Sequence, residues 1–212
     1  MKTIILNGSP RKNMNTAQLL KSAQKGAESI GAETEYIDLY DLDFKGCRSC
    51  LMCKRKDGQR CHCFWKDDLS PIIDRIFEAN AVIMGSPIYM SCSTSQFHAL
   101  MERLVFVTLS YDDYSNYFKG KVNAGIIYTM NATEEQYVQY GMKSKLEGET
   151  GFFRCLNGDL RILASHDTLQ VKDYSKFNMG AYSEAHKLEV HNTRFQADLE
   201  AAFRMGAELS KS

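Results

Sequence analysis

The sequence predicts an α/β fold: a doubly wound, five-stranded parallel sheet with helices on both faces, residues 1–212 forming a single domain. Three observations carry that expectation. Short apolar runs alternate with segments of helical period along the whole chain. Most of the runs are too continuously apolar to have a water-facing side, as in strands covered on both faces. No internal repeat, low-complexity tract or Pro/Ser-rich linker divides the 212 residues, which include only three prolines.

The elements follow in order. "TIIL" (Thr3 to Leu6) is the first expected strand. Leu20, Ala23, Ala27 and Ile30 then step by 3, 4 and 3 residues, the mark of a one-faced helix. "TEYIDL" (Thr34 to Leu39) is a more polar second strand, and a cysteine-rich excursion at about 43–66 follows it. Leu69, Ile72, Ile73, Ile76 and Phe77 repeat the helical pattern, with Asp67 and Asp68 at the positive end and Pro71 in the first turn. "VIM" (Val82 to Met84) reads as the third strand, Phe97, Leu100, Met101 and Leu104 as the next helix face, and "VNAGIIY" (Val122 to Tyr128) as the fourth strand. A fifth strand is expected near Leu160 to Ala164, introduced by the turn pair Asn157-Gly158. Lys172 to Asn192 have no clear period and read as an excursion over a neighbour or a site. A last helix presents Phe195, Leu199, Ala202, Phe203 and Gly206 on one side. The apolar residues of all these segments are assigned to core packing.

Composition narrows the function classes. With 44% hydrophobic and 25% charged residues the chain is neither disordered nor collagen-like. Lys plus Arg (26) balances Asp plus Glu (26), which removes the bulk electrostatic argument for a nucleic-acid or anionic-membrane partner. The N-terminal apolar run is too short for a signal-peptide core and no stretch approaches a membrane span, so a cytoplasmic location is expected. In a reducing compartment seven cysteines, an odd number, point to metal ligands or redox groups rather than to a disulfide framework.

In a doubly wound sheet ligands gather at the carboxyl ends of the strands, so the loops there carry the chemistry. After the first strand comes "NGSPRKNMNT" (Asn7 to Thr16): a glycine for a tight turn, hydroxyls at Ser9 and Thr16, an amide at Asn15, positive charge at Arg11 and Lys12, and a helix start. Such a loop suits a phosphate, which gains hydrogen bonds and the favourable end of the helix dipole; the alternative is a capped turn that serves only its helix. There is no G-x-x-x-x-G-K-S/T for a nucleoside triphosphate and no G-x-G-x-x-G for a dinucleotide, which favours a monophosphate. In the flavodoxin-like form of this sheet that ligand is flavin mononucleotide (FMN), at the switch point between the first and third strands. After the third strand, Gly85-Ser86-Pro87, Tyr89 and a hydroxyl-rich stretch offer a planar flavin ring an edge for hydrogen bonds and a face for stacking.

"GSPRKNMNT" together with "SPIYMSCSTSQFHALMER" resembles the NADPH-dependent FMN reductase family of flavodoxin-like proteins, over most of the chain. The resemblance implies that Ser9, Arg11, Asn15 and Thr16 surround the FMN phosphate while Pro87, Ile88 and Tyr89 line the flavin ring. It implies a third flavin loop after the fourth strand, "YTMNATEE" (Tyr128 to Glu135), with contacts from Thr129, Met130 and Asn131; the glycine pair many members have there is missing. NAD(P)H is the implied reductant, and a small molecule or a redox protein the acceptor. The family's habit of building sites between subunits implies a homodimer or homotetramer, with Lys172 to Asn192 over a neighbour's flavin. Flavin carries the hard chemistry, so no catalytic residue is assigned.

Cys47, Cys50, Cys53 and Cys61 form C-x2-C-x2-C-x7-C between the second strand and the Leu69 helix. This spacing resembles the iron-sulfur flavoprotein branch of the same family and implies a four-iron cluster near FMN, with Cys61 as fourth ligand and Cys63 as the alternative. A zinc held by four of these thiolates, a metal-free thiol or disulfide set, and a remnant in a flavin-only quinone or flavin reductase remain open. Cys92, Cys155 and the five histidines show no ligand spacing. Lys54, Arg55, Lys56 and Arg60 read as a positive skin, solvated or attracting an acidic redox partner.

Overall fold

The structure, a computed structural model, describes residues 1–211. In chain order it runs β1 (Lys2–Asn7), α1 (Asn15–Ser29), β2 (Glu33–Asp38), α2 (Ser70–Glu78), β3 (Ala81–Pro87), α3 (Ser95–Thr108), β4 (Val122–Thr129), α4 (Glu134–Gln139), α5 (Met142–Gly151), β5 (Asn157–Ser165), α6 (Glu184–Asn192) and α7 (Arg194–Leu209). The five strands are all parallel, in the order β2-β1-β3-β4-β5. The chain leaves β1 for one edge and returns on its other side to β3, so a topological switch point lies between those two strands. This is the flavodoxin-like order the sequence implied.

Strands β1, β3 and β4 are buried almost throughout, which is why they read as unbroken apolar runs. The edge strands β2 and β5 are half-exposed and correspondingly polar. One face of the sheet packs Ile5, Ile83 and Ile127 against Leu19, Leu20 and Ala23 of α1 and Phe195, Ala202 and Met205 of α7. The other packs Ile4, Val82, Met84 and Ile126 against Ile72, Ile73 and Ile76 of α2 and Phe97, Leu100 and Leu104 of α3. Helices α1 and α7 approach until a Cβ on Gly206 would run into the Ala23 carbonyl and one on Gly26 into the Phe203 carbonyl.

Three sequence expectations are corrected. Asn157 and Gly158 are not a turn before β5 but its first residues; Asn157 adopts φ 59° and the register with β4 shifts there. Helices α4 and α5 were not expected; α4 is set by a capping box, Thr133 with Gln136, rather than by an apolar stripe. Lys172–Asn192 is not wholly irregular, because it holds the turn Tyr174–Lys176 and helix α6. The one buried residue of α6 is Lys187, so the helix leaves no apolar period to read. Among the described residues no helix is long and apolar enough to cross a membrane.

Candidate functional site: the flavin loops and the cysteine excursion

The loops after β1, β3 and β4 are stitched together at the strands' carboxyl ends. Gly8 N–H donates to the Gly85 carbonyl at 2.7 Å, and a Cβ on Gly8 would stand 2.8 Å from that oxygen. Thr94 caps α3 through Phe97 N–H and donates its hydroxyl to the Gly8 carbonyl at 2.6 Å. Thr16 on α1 and Thr129 on β4 share a buried hydroxyl–hydroxyl bond of 2.7 Å, and Ile88 N–H donates to the Thr129 carbonyl at 2.8 Å. Asn7 accepts from Ser9 N–H at 3.0 Å and donates to Asp38 at 2.7 Å, fixing where the β1 loop departs.

Helix α1 begins without a side-chain cap and without an acidic residue in its first turn, so its first N–H groups stay open to an anion. Ser9, Asn15 and Thr16 are buried and Arg11 half-buried around that opening. Their side chains are tied across it: Ser9 Oγ accepts from Arg11 N–H at 3.1 Å, Arg11 donates to the Gln170 carbonyl at 2.5 Å, and Asn15 donates to the Leu169 carbonyl at 2.8 Å. Pro87 is buried and Ile88 half-buried, while Tyr89 is exposed on a two-residue turn closed by its own bonds to Cys92. Met90 and Ser91 occupy that turn with φ 50° and 62°, a conformation costly for non-glycine residues. Two buried polar atoms here have no protein partner, Ser93 Oγ and Asn131 Oδ1. Buried polar groups are rarely left so, and their chemistry fits a ligand with polar edges between the β3 and β4 loops.

Sequence reasoning missed the fourth wall, the loop after β5. Asp167 N–H donates to the Ala132 carbonyl at 2.8 Å, and Thr168 donates twice to the Met130 carbonyl. Asp167 is held at φ 55° and ion-paired to buried Lys187 and, at 2.6 Å, to His186, both on α6. Lys187 also donates to the Asn131 carbonyl at 3.3 Å. Burial works against ionising Asp167, but hydrogen bonds from the Lys187 ammonium and from His186 hold its carboxyl below the usual carboxylate range. The rule that ligands sit at strand ends could have flagged residues 166–170; nothing local flags Lys187, a lone lysine in an aperiodic segment.

The cysteine excursion is built differently. Between the turns Leu39–Asp41 and Met52–Lys54 and onward to α2 its backbone bonds are almost all local, and Ser49, Leu51 and Cys61 are left-handed. What docks it is α3. Glu102 accepts from Cys47 N–H at 3.1 Å. Arg103, 1% exposed, donates to the Lys45 carbonyl, to Asp67, to Ser70 Oγ and to Cys63 Sγ. Lys54 is no part of a solvated skin: its ammonium donates to the Phe106 and Leu109 carbonyls at the end of α3 and lies over the Phe106 ring. Burial pulls its pKa down, and the helix dipole favours a cation there. The excursion thus sits against the second half of α3, away from the helix start that carries the flavin loop.

Cys47, Cys50, Cys53 and Cys63 line one apolar cavity of about 30 Å³ with Leu51, Phe106 and Val107. Cys61 does not line it. Burial raises the Cys61 thiol against the pull of Lys54 and Lys119, and Cys61 in turn acts on Cys155, whose thiol burial pushes up to about 11. All seven cysteines are free. Among the described residues no three His, Cys, Asp or Glu side chains are already grouped to hold a metal ion. The donor chemistry fits a thiophilic metal group: four sulfurs around one mainly apolar cavity, with Arg103 and Lys54 beside them as cations. At this volume the cavity has space for about two waters, so admitting a cluster requires the excursion to spread.

Against known families, the model for NADPH-dependent FMN reductase matches residues 1–158. The chain belongs to this family. FMN reductase relatives include an iron-sulfur flavoprotein of Methanocaldococcus jannaschii, 38% identical over 103 residues, covering 49% of this chain and 51% of that one. An iron-sulfur flavoprotein of Methanosarcina thermophila is 29% identical over 107 residues, covering 50% and 54%. The chain spans about half the length of the curated relatives it matches. Among solved structures, the NAD(P)H:quinone oxidoreductase from Methanothermobacter marburgensis superposes with a TM-score of 0.72 at 16% identity, covering 100% of this chain and 98% of that one. An azoreductase from Bacillus anthracis gives 0.65 at 12% identity over 98% and 99%. At such identities the likeness establishes the shared flavodoxin-like fold.

Proposed function

We propose that this FMN reductase family member is an NAD(P)H-dependent FMN oxidoreductase whose cysteine excursion holds an iron-sulfur cluster, passing electrons to a small-molecule or protein acceptor. The observation that carries the flavin reading is the uncapped start of α1, ringed by Ser9, Arg11, Asn15 and Thr16 and stitched to the β3 and β4 loops. Bound there, flavin supplies hydride acceptance and the release of electrons singly or in pairs. The protein's part is to bind and orient. The α1 N–H groups, Ser9, Asn15, Thr16 and Arg11 hold the phosphate, with Arg11 and Asn15 turning from the Gln170 and Leu169 carbonyls towards it. Pro87, Ile88 and Tyr89 line one side of the ring, and Thr129, Met130 and Asn131 border its polar edge. Ser93 Oγ and Asn131 Oδ1 gain partners they otherwise lack.

Cys47, Cys50 and Cys53, with a fourth thiol from the Cys61–Cys63 arm, would hold the cluster. A flavin-only reductase with free thiols is the second reading, favoured by the closed cavity and the seven free cysteines. Anaerobic purification decides: acid release should yield FMN rather than FAD, NADPH should bleach the flavin bands, and iron and sulfide should accompany it. FAD, or no flavin after reconstitution, overturns the flavin reading; FMN without iron or sulfide leaves the flavin-only one. We further propose a single domain that acts as a homodimer or homotetramer in a reducing cytoplasm. The outer face of residues 172–192 supports this, since Phe177, Tyr182 and Leu188 stay exposed while Lys187 anchors the segment to its own chain. Light scattering on flavin-loaded protein tests the assembly; a fully loaded monomer overturns it.

A further inference from the structure

We infer that Arg103 selects Cys63, and not Cys61, as the fourth sulfur of the cysteine site by donating a hydrogen bond to it from a fixed guanidinium. The inference rests on the reading that the excursion holds a cluster, and deepens it by naming a ligand and a positioning residue.

Spacing alone favours Cys61, because the shorter return from Cys53 is the more compact loop. Geometry favours Cys63. The cavity that brings together Cys47, Cys50 and Cys53 takes its fourth thiol from Cys63. Cys61 adopts a left-handed φ of 54° and does not line that cavity. Two residues on, the chain reaches α3 and Arg103.

Arg103 is suited to choose. Its Nη2 lies 3.2 Å from Cys63 Sγ. The guanidinium is fixed from three directions: Asp67 at 2.5 Å to Nη1 and 3.0 Å to Nη2, Ser70 Oγ at 2.6 Å to Nη2 and the Lys45 carbonyl at 3.2 Å to Nη1. A planar guanidinium so held cannot turn to follow another thiol. Lys45 precedes the cysteine run and Asp67 follows it, so one side chain closes both arms of the excursion and brings Nη2, shared with Asp67 Oδ1 and Ser70 Oγ, to the sulfur at the closure. A charge-assisted hydrogen bond of this kind fixes where the sulfur sits. On a bound cluster the same bond would draw charge from one ligand sulfur, a recognised control on cluster potential.

The test uses anaerobic reconstitution of the full chain with ferrous iron and sulfide, comparing parent protein, Cys61→Ser, Cys63→Ser and Arg103→Lys. Expected are parent-like iron and sulfide in Cys61→Ser, loss of most of both in Cys63→Ser, and a lower midpoint potential in Arg103→Lys. Since Arg103→Lys could fail to fold, the parent grown with 15N-arginine supplies an independent readout, a nitrogen hyperfine coupling on the reduced cluster. Loss of the cluster in Cys61→Ser with normal loading in Cys63→Ser overturns the inference and leaves the cluster reading standing. So does normal loading of both single variants. An unchanged potential in folded Arg103→Lys, or no coupling in the labelled parent, removes Arg103 from the role. A parent protein that takes up neither iron nor sulfide overturns the cluster reading itself.

Discussion

The two candidate sites are held by opposite means. At the flavin loops the scaffold is backbone: Gly8 to Gly85, Ile88 to Thr129 and Thr168 to Met130 extend the hydrogen-bonding of the sheet past its edge, and side chains such as Thr94 and Thr16 only reinforce it. At the cysteine excursion the backbone bonds are almost all local, and three long side chains, Glu102, Arg103 and Lys54, key the segment onto α3. A site grown from a sheet is positioned before any ligand arrives. A site strung on side chains takes its shape from a few charged contacts, and metal ligation would contribute further order.

The largest effect should come from cutting the main key. Arg103→Met leaves the Asp67 carboxylate, 9% exposed in its side chain, without its partner. Removing one member of a buried pair costs about 3–5 kcal/mol. Urea denaturation should record that loss, and limited proteolysis should cut within residues 43–66 first. Adding Asp67→Asn should restore part of the stability, because the stranded charge is gone. A loss under about 1 kcal/mol would mean that the excursion docks by its apolar contacts instead.

At the flavin loops the corresponding cut should be milder. Thr16→Val keeps the shape and leaves the buried Thr129 hydroxyl without its partner at 2.7 Å, at a cost of about 1–3 kcal/mol in stability. FMN affinity should fall by about 1 kcal/mol, or about fivefold, measured by flavin fluorescence quenching in apoprotein titrations. Unchanged affinity would move the phosphate away from Thr16. A stability loss as large as that of Arg103→Met would erase the contrast between the two regions.

What was legible in the sequence follows the same division. The strands announced themselves because β1, β3 and β4 are buried on both faces, and the loops after them are where a doubly wound sheet puts its ligands. Helix α5 did not, because its buried Met142, Leu146 and Thr150 form a stripe one residue wide. The Asp167–Lys187 pair joins the loop after β5 to helix α6, and the Cys63–Arg103 contact spans 40 residues; neither leaves a local pattern. Spacing could say that cysteines cluster, but not which sulfur a buried arginine on α3 would reach.

The smallest expected effect separates the regions by pH. His166 is buried at the end of β5, its ring 4.8 Å from that of Tyr137, with Arg194 and Asp198 of α7 and Glu134 and Glu135 of α4 as the charges around it. Burial, and after it Arg194, pushes its pKa below the ordinary histidine value. As pH falls through about 6.5 the unfolded chain takes up a proton that the folded chain refuses, so stability is lost downward from there. Asp67 and Asp167 behave otherwise. Burial opposes their ionisation, but Arg103 for the one and Lys187 with His186 for the other depress both pKa values. Their contribution is complete above about pH 4 and disappears only as pH falls through the depressed values. Asp198, raised by burial, has the reverse sign: its folded form protonates first, which offsets part of the histidine loss as pH approaches about 4. Between about pH 6.5 and 4, then, acid loosens the flavin-side loops and spares the excursion. Hydrogen exchange at about pH 5 should show faster opening at 130–137 and 166–170 with residues 43–69 unchanged, and His166→Phe should abolish the difference. Opening of the excursion first, in metal-free protein, would place the acid-sensitive site at the excursion and reverse the expected order.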